Sequence, residues 1–210
     1  MSQDTSLKDI EYDFHIPIGS LPRFFRKQPE DFKAASLGFL EADKRRSSLL
    51  RNSLCQNSKQ KLIGLSWHTI STLPEAQKRN IDLMTLSMNL LSIDATFVSL
   101  QYNDQHLFNE NRQKISGIPI KQAVRLDRFN DLDGLAALIS ACDEVITIDN
   151  STAHFAGALG VSTRLLLPIN CDWRWGRSDT RSYWYESVQI YRQVKDGAWD
   201  HPLQQIANAL

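Results

Sequence analysis

Residues 149–154 read DNSTAH: a carboxylate, an amide, two hydroxyls, an alanine and a histidine, with FAGALG following. Asp, Asn, Ser and Thr carry side-chain oxygens that accept hydrogen bonds from the unsatisfied amides of a helix's first turn, so the segment predicts a helix start after Asn150 or Ser151. Gly160 supplies the stop. The same amides, at the positive end of the helix dipole, hold an anion when a phosphate takes the place of the capping oxygen. Ser151, Thr152 and Ala153 are small enough to let such a group approach the backbone. The dipole disfavours a charged His154, yet a neutral ring still donates one hydrogen bond. Two roles stay open for it, phosphate contact or structural histidine. Asp149 likewise either caps the turn or orients Ser151 and Thr152. A carboxylate beside a bound diphosphate meets repulsion unless it faces away, so Asp149 is not assigned as a catalytic base.

A second polar segment, SWHTIST at 66–72, brings Trp67, His68, Thr69, Ser71 and Thr72, with Lys78 and Arg79 near the start of the next helix. For the two segments to meet, two strand ends must lie side by side. From Lys61 onward, short β-branched runs alternate with helical stretches. Strands are expected at Leu62–Ser66, Ala95–Leu100, Gln122–Arg125, Glu144–Ile148, Arg164–Leu167 and Val188–Tyr191. Helices are expected at Glu75–Leu91, Gln105–Ile115, Leu132–Ala141, Thr152–Leu159 and Pro202–Leu210. This alternation predicts an α/β fold, a Rossmann-like doubly wound parallel sheet covered on both faces. In the strand order 3-2-1-4-5-6, the loops after the first and fourth strands face each other across the crevice where such sheets bind ligands. Hydroxyls and cations opposite a helix N-terminus fit a phosphate-bearing ligand, a diphosphate in particular. The chain has no GxxxxGK[ST], and no GxGxxG follows the first strand, which disfavours a P-loop and the usual dinucleotide fingerprint.

The bulk composition narrows the partners. The 210 residues hold 24 Lys plus Arg and 24 Asp plus Glu, so no net field draws the chain to nucleic acid or to an anionic membrane surface. Cys55, Cys142 and Cys171 form no CxxC pair and read as packing residues in a reducing compartment. No apolar run approaches the roughly 18 residues that span a bilayer, and Met1–Asp4 lacks a signal-peptide opening. The reading is a cytoplasmic protein with no nucleic-acid partner and no membrane span. His15, His106 and His201 lack spaced partners, so no metal site is assigned. FHIPIGSLPRFF (14–25) gives one strand-like segment and Pro29–Leu54 one helical run, too little for a core of their own. Residues 1–57 therefore read as a short N-terminal appendage packed on the main domain, or as the tail of a neighbouring one, and 58–210 as the main domain. In DWRWGRSDTRSYWYESV (172–188), Trp173, Trp175, Trp184 and Tyr185 predict a satellite core that anchors the loop before the last strand, with Arg174, Arg177 and Arg181 at the cleft or a domain interface.

Taken in order, these residues resemble the heptosyltransferase-like glycosyltransferases of the GT-B class, as found attached to tetratricopeptide repeats in bacterial proteins. The resemblance runs through IGLSW (63–67), KRNIDL (78–83), FVSLQY (97–102), the stretch 131–161, LLLP (165–168), DWRWGRSDTRSYWY (172–185) and YRQ (191–193). It implies that 58–210 is the C-terminal, nucleotide-sugar-binding half of a GT-B fold and that 1–57 is a remnant of the N-terminal domain, with HIPIGSLP (15–22) its last part. It also matches Asp149, Ser151, Thr152 and His154 to a D-x-[ST]-[ST]-x-H donor loop that holds the diphosphate. Ser66, Trp67 and His68 match the loop after the first strand, Arg79 its downstream basic position, and Gln101 and Tyr102 the loop after the second strand, close to the donor cleft. HTISTLP stands where the family usually carries a basic residue and glycines. His68 is then either a ligand-facing replacement or a loop histidine, and Arg79 either a phosphate ligand or a solvated helix residue. The implied activity is transfer of a hexosyl or heptosyl group from a nucleotide-sugar to an acceptor. The donor is a substrate, no cofactor or metal is expected, and a partner protein or second copy would complete the cleft; no catalytic residue is assigned. The alternative is a non-catalytic nucleotide-binding or protein-interaction module derived from a truncated glycosyltransferase.

Overall fold

LIGLS at Leu62–Ser66 and EVITI at Glu144–Ile148 are buried along their whole length, as strands covered on both faces must be. They are β1 and β4 of the sheet in a computed structural model that describes residues 11–32, 38–57, 59–102, 117–124 and 126–210. The other strands are β2 (Thr96–Ser99), β3 (Ile120–Lys121), β5 (Thr163–Leu167) and β6 (Val188–Arg192). All pairs are parallel and the order is β3-β2-β1-β4-β5-β6. The chain thus has the doubly wound α/β architecture that the sequence predicts, with β1 and β4 adjacent at the switch point.

Seven α-helices are described: α1 (Pro22–Phe25), α2 (Lys44–Leu54), α3 (Pro74–Gln77), α4 (Leu83–Leu90), α5 (Leu132–Ala141), α6 (Ser151–Ala158) and α7 (Asp200–Asn208). Successive strand side chains point to opposite faces, which sorts the core into two layers. Ile63, Leu65, Phe97, Ile146 and Ile148 pack with Leu86, Leu90, Leu203 and Ile206 of α4 and α7. Leu62, Val98 and Val145 pack with Leu54, Leu135, Leu138 and Ala156 of α2, α5 and α6. A third cluster joins Leu165, Leu167, Val188 and Ile190 to Ala153 and Trp175.

Several elements differ from the sequence reading, each for a local reason. The third strand forms two residues earlier than expected, pairing Ile120 with Phe97 of β2, while Val124 of the expected span faces outward although Ala123 is buried; Arg125 lies outside the described residues. The single helix expected at Glu75–Leu91 is two helices. Ile81 drops into the core and its amide bonds to Trp67 O at 2.9 Å, while Asp82 caps α4 by accepting from Met84 N and Thr85 N. The helix expected at Gln105–Ile115 lies outside the described residues. The run Pro29–Leu54 resolves into a 3-10 turn at Pro29–Phe32 and α2, whose N-cap is Asp43.

By its contacts the chain divides into two compact units, 1–34 and 35–210. Among the described residues of the first there is no strand. Pro17 precedes a 3-10 turn at Ile18–Ser20, and Pro22 opens α1 with its fixed φ and missing donor. In the second unit α2 is joined to α5 by the Arg46–Asp131 ion pair and by Arg51, which donates to Ala141 O at 2.8 Å and to Asp143 Oδ2 at 2.9 Å.

Candidate functional site

Register places Ser66 of β1 beside Thr147 of β4, so the segments that follow, 67–72 and 149–154, leave the same edge of the sheet as neighbours. Asn150 has extended backbone and caps α6, its Oδ1 accepting from Thr152 N at 3.0 Å. Its Nδ2 donates to Ser66 Oγ at 2.8 Å. Ser66 Oγ donates in turn to Gln101 Oε1 at 3.0 Å. That oxygen also accepts from Trp67 N at 2.7 Å and His68 N at 2.9 Å, while Gln101 Nε2 donates to His68 O at 3.0 Å. Two backbone donors converging on one amide atom require it to be the oxygen, which fixes the orientation of Gln101. Thr152 Oγ1 also reaches Ser66 Oγ, at 3.5 Å. The ends of β1, β2 and β4 are thereby joined by one polar circuit, in which Gln101 is 1% exposed.

The second polar group is built around Asp149, which is 3% exposed. Its Oδ1 accepts from the Trp175 indole Nε1 at 2.8 Å. Its Oδ2 has no hydrogen-bond partner and lies 3.6 Å from Arg79 Nη1, which donates to the Asp149 carbonyl at 3.0 Å. The break between α3 and α4 is what carries Arg79 to this point, since Ile81 and Asn80 pin the chain just after it: Thr69 N donates to Asn80 Oδ1 at 2.7 Å. His154 stacks on Trp175, with centroids 4.8 Å apart, and its Nδ1 is 3.1 Å from Tyr185 Oη. Burial lowers the His154 pKa against a smaller opposing pull from Asp149, so the ring is held neutral. Burial likewise raises the Tyr185 phenol and lowers His68. Gly157, one turn after Ala153, makes room for this arrangement: a Cβ there would come within 2.4 Å of the Tyr185 ring.

The structure therefore brings Trp67, His68, Arg79, Gln101, Asp149, Ser151, Thr152 and His154 to one edge of the sheet, but not with equal access. Trp67, Gln101, Asp149 and Thr152 are buried; His68, Arg79 and His154 are half-buried; Ser151 is exposed. The first-turn amides are not all free, because Thr152 N is capped by the Asn150 side chain and Ala153 N donates to Asn150 O at 3.2 Å. Three participants escaped the sequence reading of the site. The sequence offered Asn150 as a cap, but not its link to Ser66, which joins the two segments. Trp175 and Tyr185 were expected only as core, and the sequence signal that connects them to DNSTAH is the DWRW segment's indole donor, which needs a buried acceptor. Of the predicted satellite core, Trp175 is buried and Tyr185 half-buried against the same cluster, whereas Trp184 is half-buried outside it and Trp173 stands 58% exposed.

No protein-family profile matches the chain. It is 28% identical over 200 residues to protein FlbA of Caulobacter vibrioides, a match that covers 95% of this chain and 33% of FlbA. It is similar in structure to the glycosyl transferase family 9 protein from Veillonella parvula, with a TM-score of 0.57 and 15% identity over 82% of this chain and 53% of that one. It is also similar to the ADP-heptose LPS heptosyltransferase II of E. coli, with a TM-score of 0.54 and 16% identity over 80% of this chain and 51% of that one. At these identities the likeness is one of fold: the chain has a heptosyltransferase-like α/β fold and spans about half the length of the solved structures and a third of FlbA. No helix among the described residues is long and apolar enough to cross a membrane.

Proposed function

We propose that this chain is a glycosyltransferase-like protein that binds a nucleotide-sugar donor through its diphosphate at the first turn of α6. The observation that carries the reading is the meeting of that turn with the loop after β1 at the switch point of a sheet whose fold is shared with glycosyltransferases. In this reading a diphosphate oxygen displaces Asn150 Oδ1 from the Thr152 amide, the Ser151 hydroxyl and a neutral His154 donate to it, and Arg79 turns from Asp149 to the anion. Trp67 and Gln101 act by shaping the loop that carries His68. The same donors favour the charge that appears on the leaving diphosphate when the sugar passes to an acceptor. No metal bound by the protein is invoked, and a partner protein or a second copy supplies the other wall of the cleft. Residues 58–210 are the donor-binding domain of this proposal and 1–57 a remnant of the N-terminal one, in a cytoplasmic protein of the kind attached to tetratricopeptide repeats.

Thermal unfolding with ADP, GDP, UDP and their sugar esters tests it. At a ligand concentration a hundredfold above Kd, binding adds about 2.7 kcal/mol of stability. The rise in Tm is expected for at least one of these ligands and is reduced in His154→Ala; no rise with any of them sinks the donor site. A second reading, a non-catalytic module, draws on the closed circuit of Ser66, Asn150, Thr152 and Gln101, which leaves few polar atoms facing a ligand. A ligand-induced rise in Tm without sugar transfer or donor hydrolysis, with or without a partner that supplies the other domain, favours that reading.

A further inference from the structure

The WRW of residues 173–175 divides its two indoles. Asp172 caps the 3-10 turn they share, its Oδ1 accepting from Arg174 N at 3.0 Å, and the turn sends Trp175 inward at 1% exposure and Trp173 outward at 58%. The inward indole is fixed by Asp149 and by its stack on His154. From β6, Arg192 ties down the same loop, its Nη2 donating to Trp175 O at 2.6 Å and its Nη1 lying 3.1 Å from Cys171 Sγ. The outward indole is thus presented on a braced loop rather than a frayed one. Arg174 covers one face of it, 4.9 Å from the centroid, and Trp184 meets its edge at 6.1 Å. This leaves a large aromatic surface, with the exposed Ile169 near it in the chain, open to solvent on a fixed loop.

Beside Trp173 is a cavity of about 580 Å³, lined also by Ile169, Asn170, Cys171, Gly176 and Arg177, a volume within the usual range for small-molecule sites. Ile169 is 47% exposed. Asn170 and Arg177 are exposed and make no hydrogen bond or ion pair with the described residues. We propose that this cavity receives the glycosyl ring of the donor, its C–H face against the Trp173 indole and its hydroxyls towards Asn170 and Arg177. The inference rests on the diphosphate reading above and adds the place of the sugar. Thr147 of β4 pairs with Leu165 of β5, so the loop that follows β5 borders the first turn of α6 on the side away from β1. A diphosphate at that turn directs one end of the donor towards this loop. A sugar ring has one apolar C–H face and a polar rim, and the cavity offers an indole face with an amide and a guanidinium around it. The loop is already ordered by Trp175 and Arg192, so little conformational freedom is lost on binding.

Calorimetric titration of the whole chain separates the two claims, using UDP with UDP-glucose, ADP with ADP-glucose and GDP with GDP-mannose. Trp173 is exposed, so Trp173→Ala is expected to keep the wild-type Tm. The variant should bind the diphosphate that the wild type prefers with unchanged Kd and its sugar ester about tenfold more weakly, with Trp173→Phe in between. Equal weakening of diphosphate and sugar ester would place the nucleobase on Trp173 and overturn the sugar assignment, as would no weakening of either. Both claims fall if the wild type binds none of the six.

Discussion

Asp149 directs one carboxylate oxygen to the Trp175 indole, and its other oxygen lies 3.6 Å from Arg79 Nη1. His154 is the more informative titrating group. Burial lowers its pKa below the usual value of about 6.5. The unfolded chain therefore binds a proton there more readily than the folded one, and stability from this site falls as the pH drops through 6.5 towards the folded value. His154→Gln is expected to flatten the decline in Tm between pH 7 and pH 5; an unchanged slope would show that burial of this ring does not set it. His68, lowered by the same cause, retains its own part of the decline in that variant.

The start of α6 carries two tasks through one side chain. Asn150 Oδ1 caps the helix while its Nδ2 holds Ser66, and through Ser66 the loop after β1. Asn150→Ala removes both and is expected to destabilise the chain by about 2 kcal/mol, the sum of a lost cap and a buried hydroxyl left short of a donor. Asn150→Asp keeps the acceptor and loses the donor, so its loss measured by chemical unfolding should be smaller; equal losses would argue against the cap. The other end of α6 is closed by Gly160 in the left-handed region, φ +72°, and by Phe39 N and Leu40 N, which both donate to Ala158 O. At the α3–α4 break, a sequence that reads as one continuous helix is divided because Ile81 and Asp82 find better partners in the core and at a cap than in another helical turn.

With equal numbers of acidic and basic residues, the molecule carries no net charge, so the proposed binding of a diphosphate rests on local groups such as Arg79 and the α6 dipole. The compact unit that holds the sheet runs from residue 35 and includes α2, whose Leu50 and Leu54 pack with Leu135 and Leu138 of α5 and whose arginines bind Asp131 and Asp143. Comparing chains that begin at residues 35 and 58 measures how far the main domain depends on that helix. Loss of the leucine burial alone is expected to lower the unfolding free energy of the shorter chain by about 3 kcal/mol or more. Equal stability of the two would make α2 an appendage in the energetic sense.

The positions of β1, β2, β4, β5 and β6 and the α6 cap were legible in the chain because each depends on neighbours within a few positions. The sheet order, which pairs Ser66 with Thr147, was legible only because doubly wound sheets share a common order. Apolar runs such as LIGLS and EVITI have the length and composition of doubly covered strands, and DNSTAH followed by Gly160 has the chemistry of a helix start and stop. The two-residue β3, the split between α3 and α4, and the membership of Trp175 and Tyr185 in the site were not legible. They rest on contacts between residues remote in the chain, with Ser66 and Asn150 separated by 84 positions, Asp149 and Trp175 by 26 and His154 and Tyr185 by 31. Local periodicity states which way a side chain points from its own element. Which indole finds a buried carboxylate, and which is left facing solvent beside it, is settled when the loop after β5 packs against the first turn of α6.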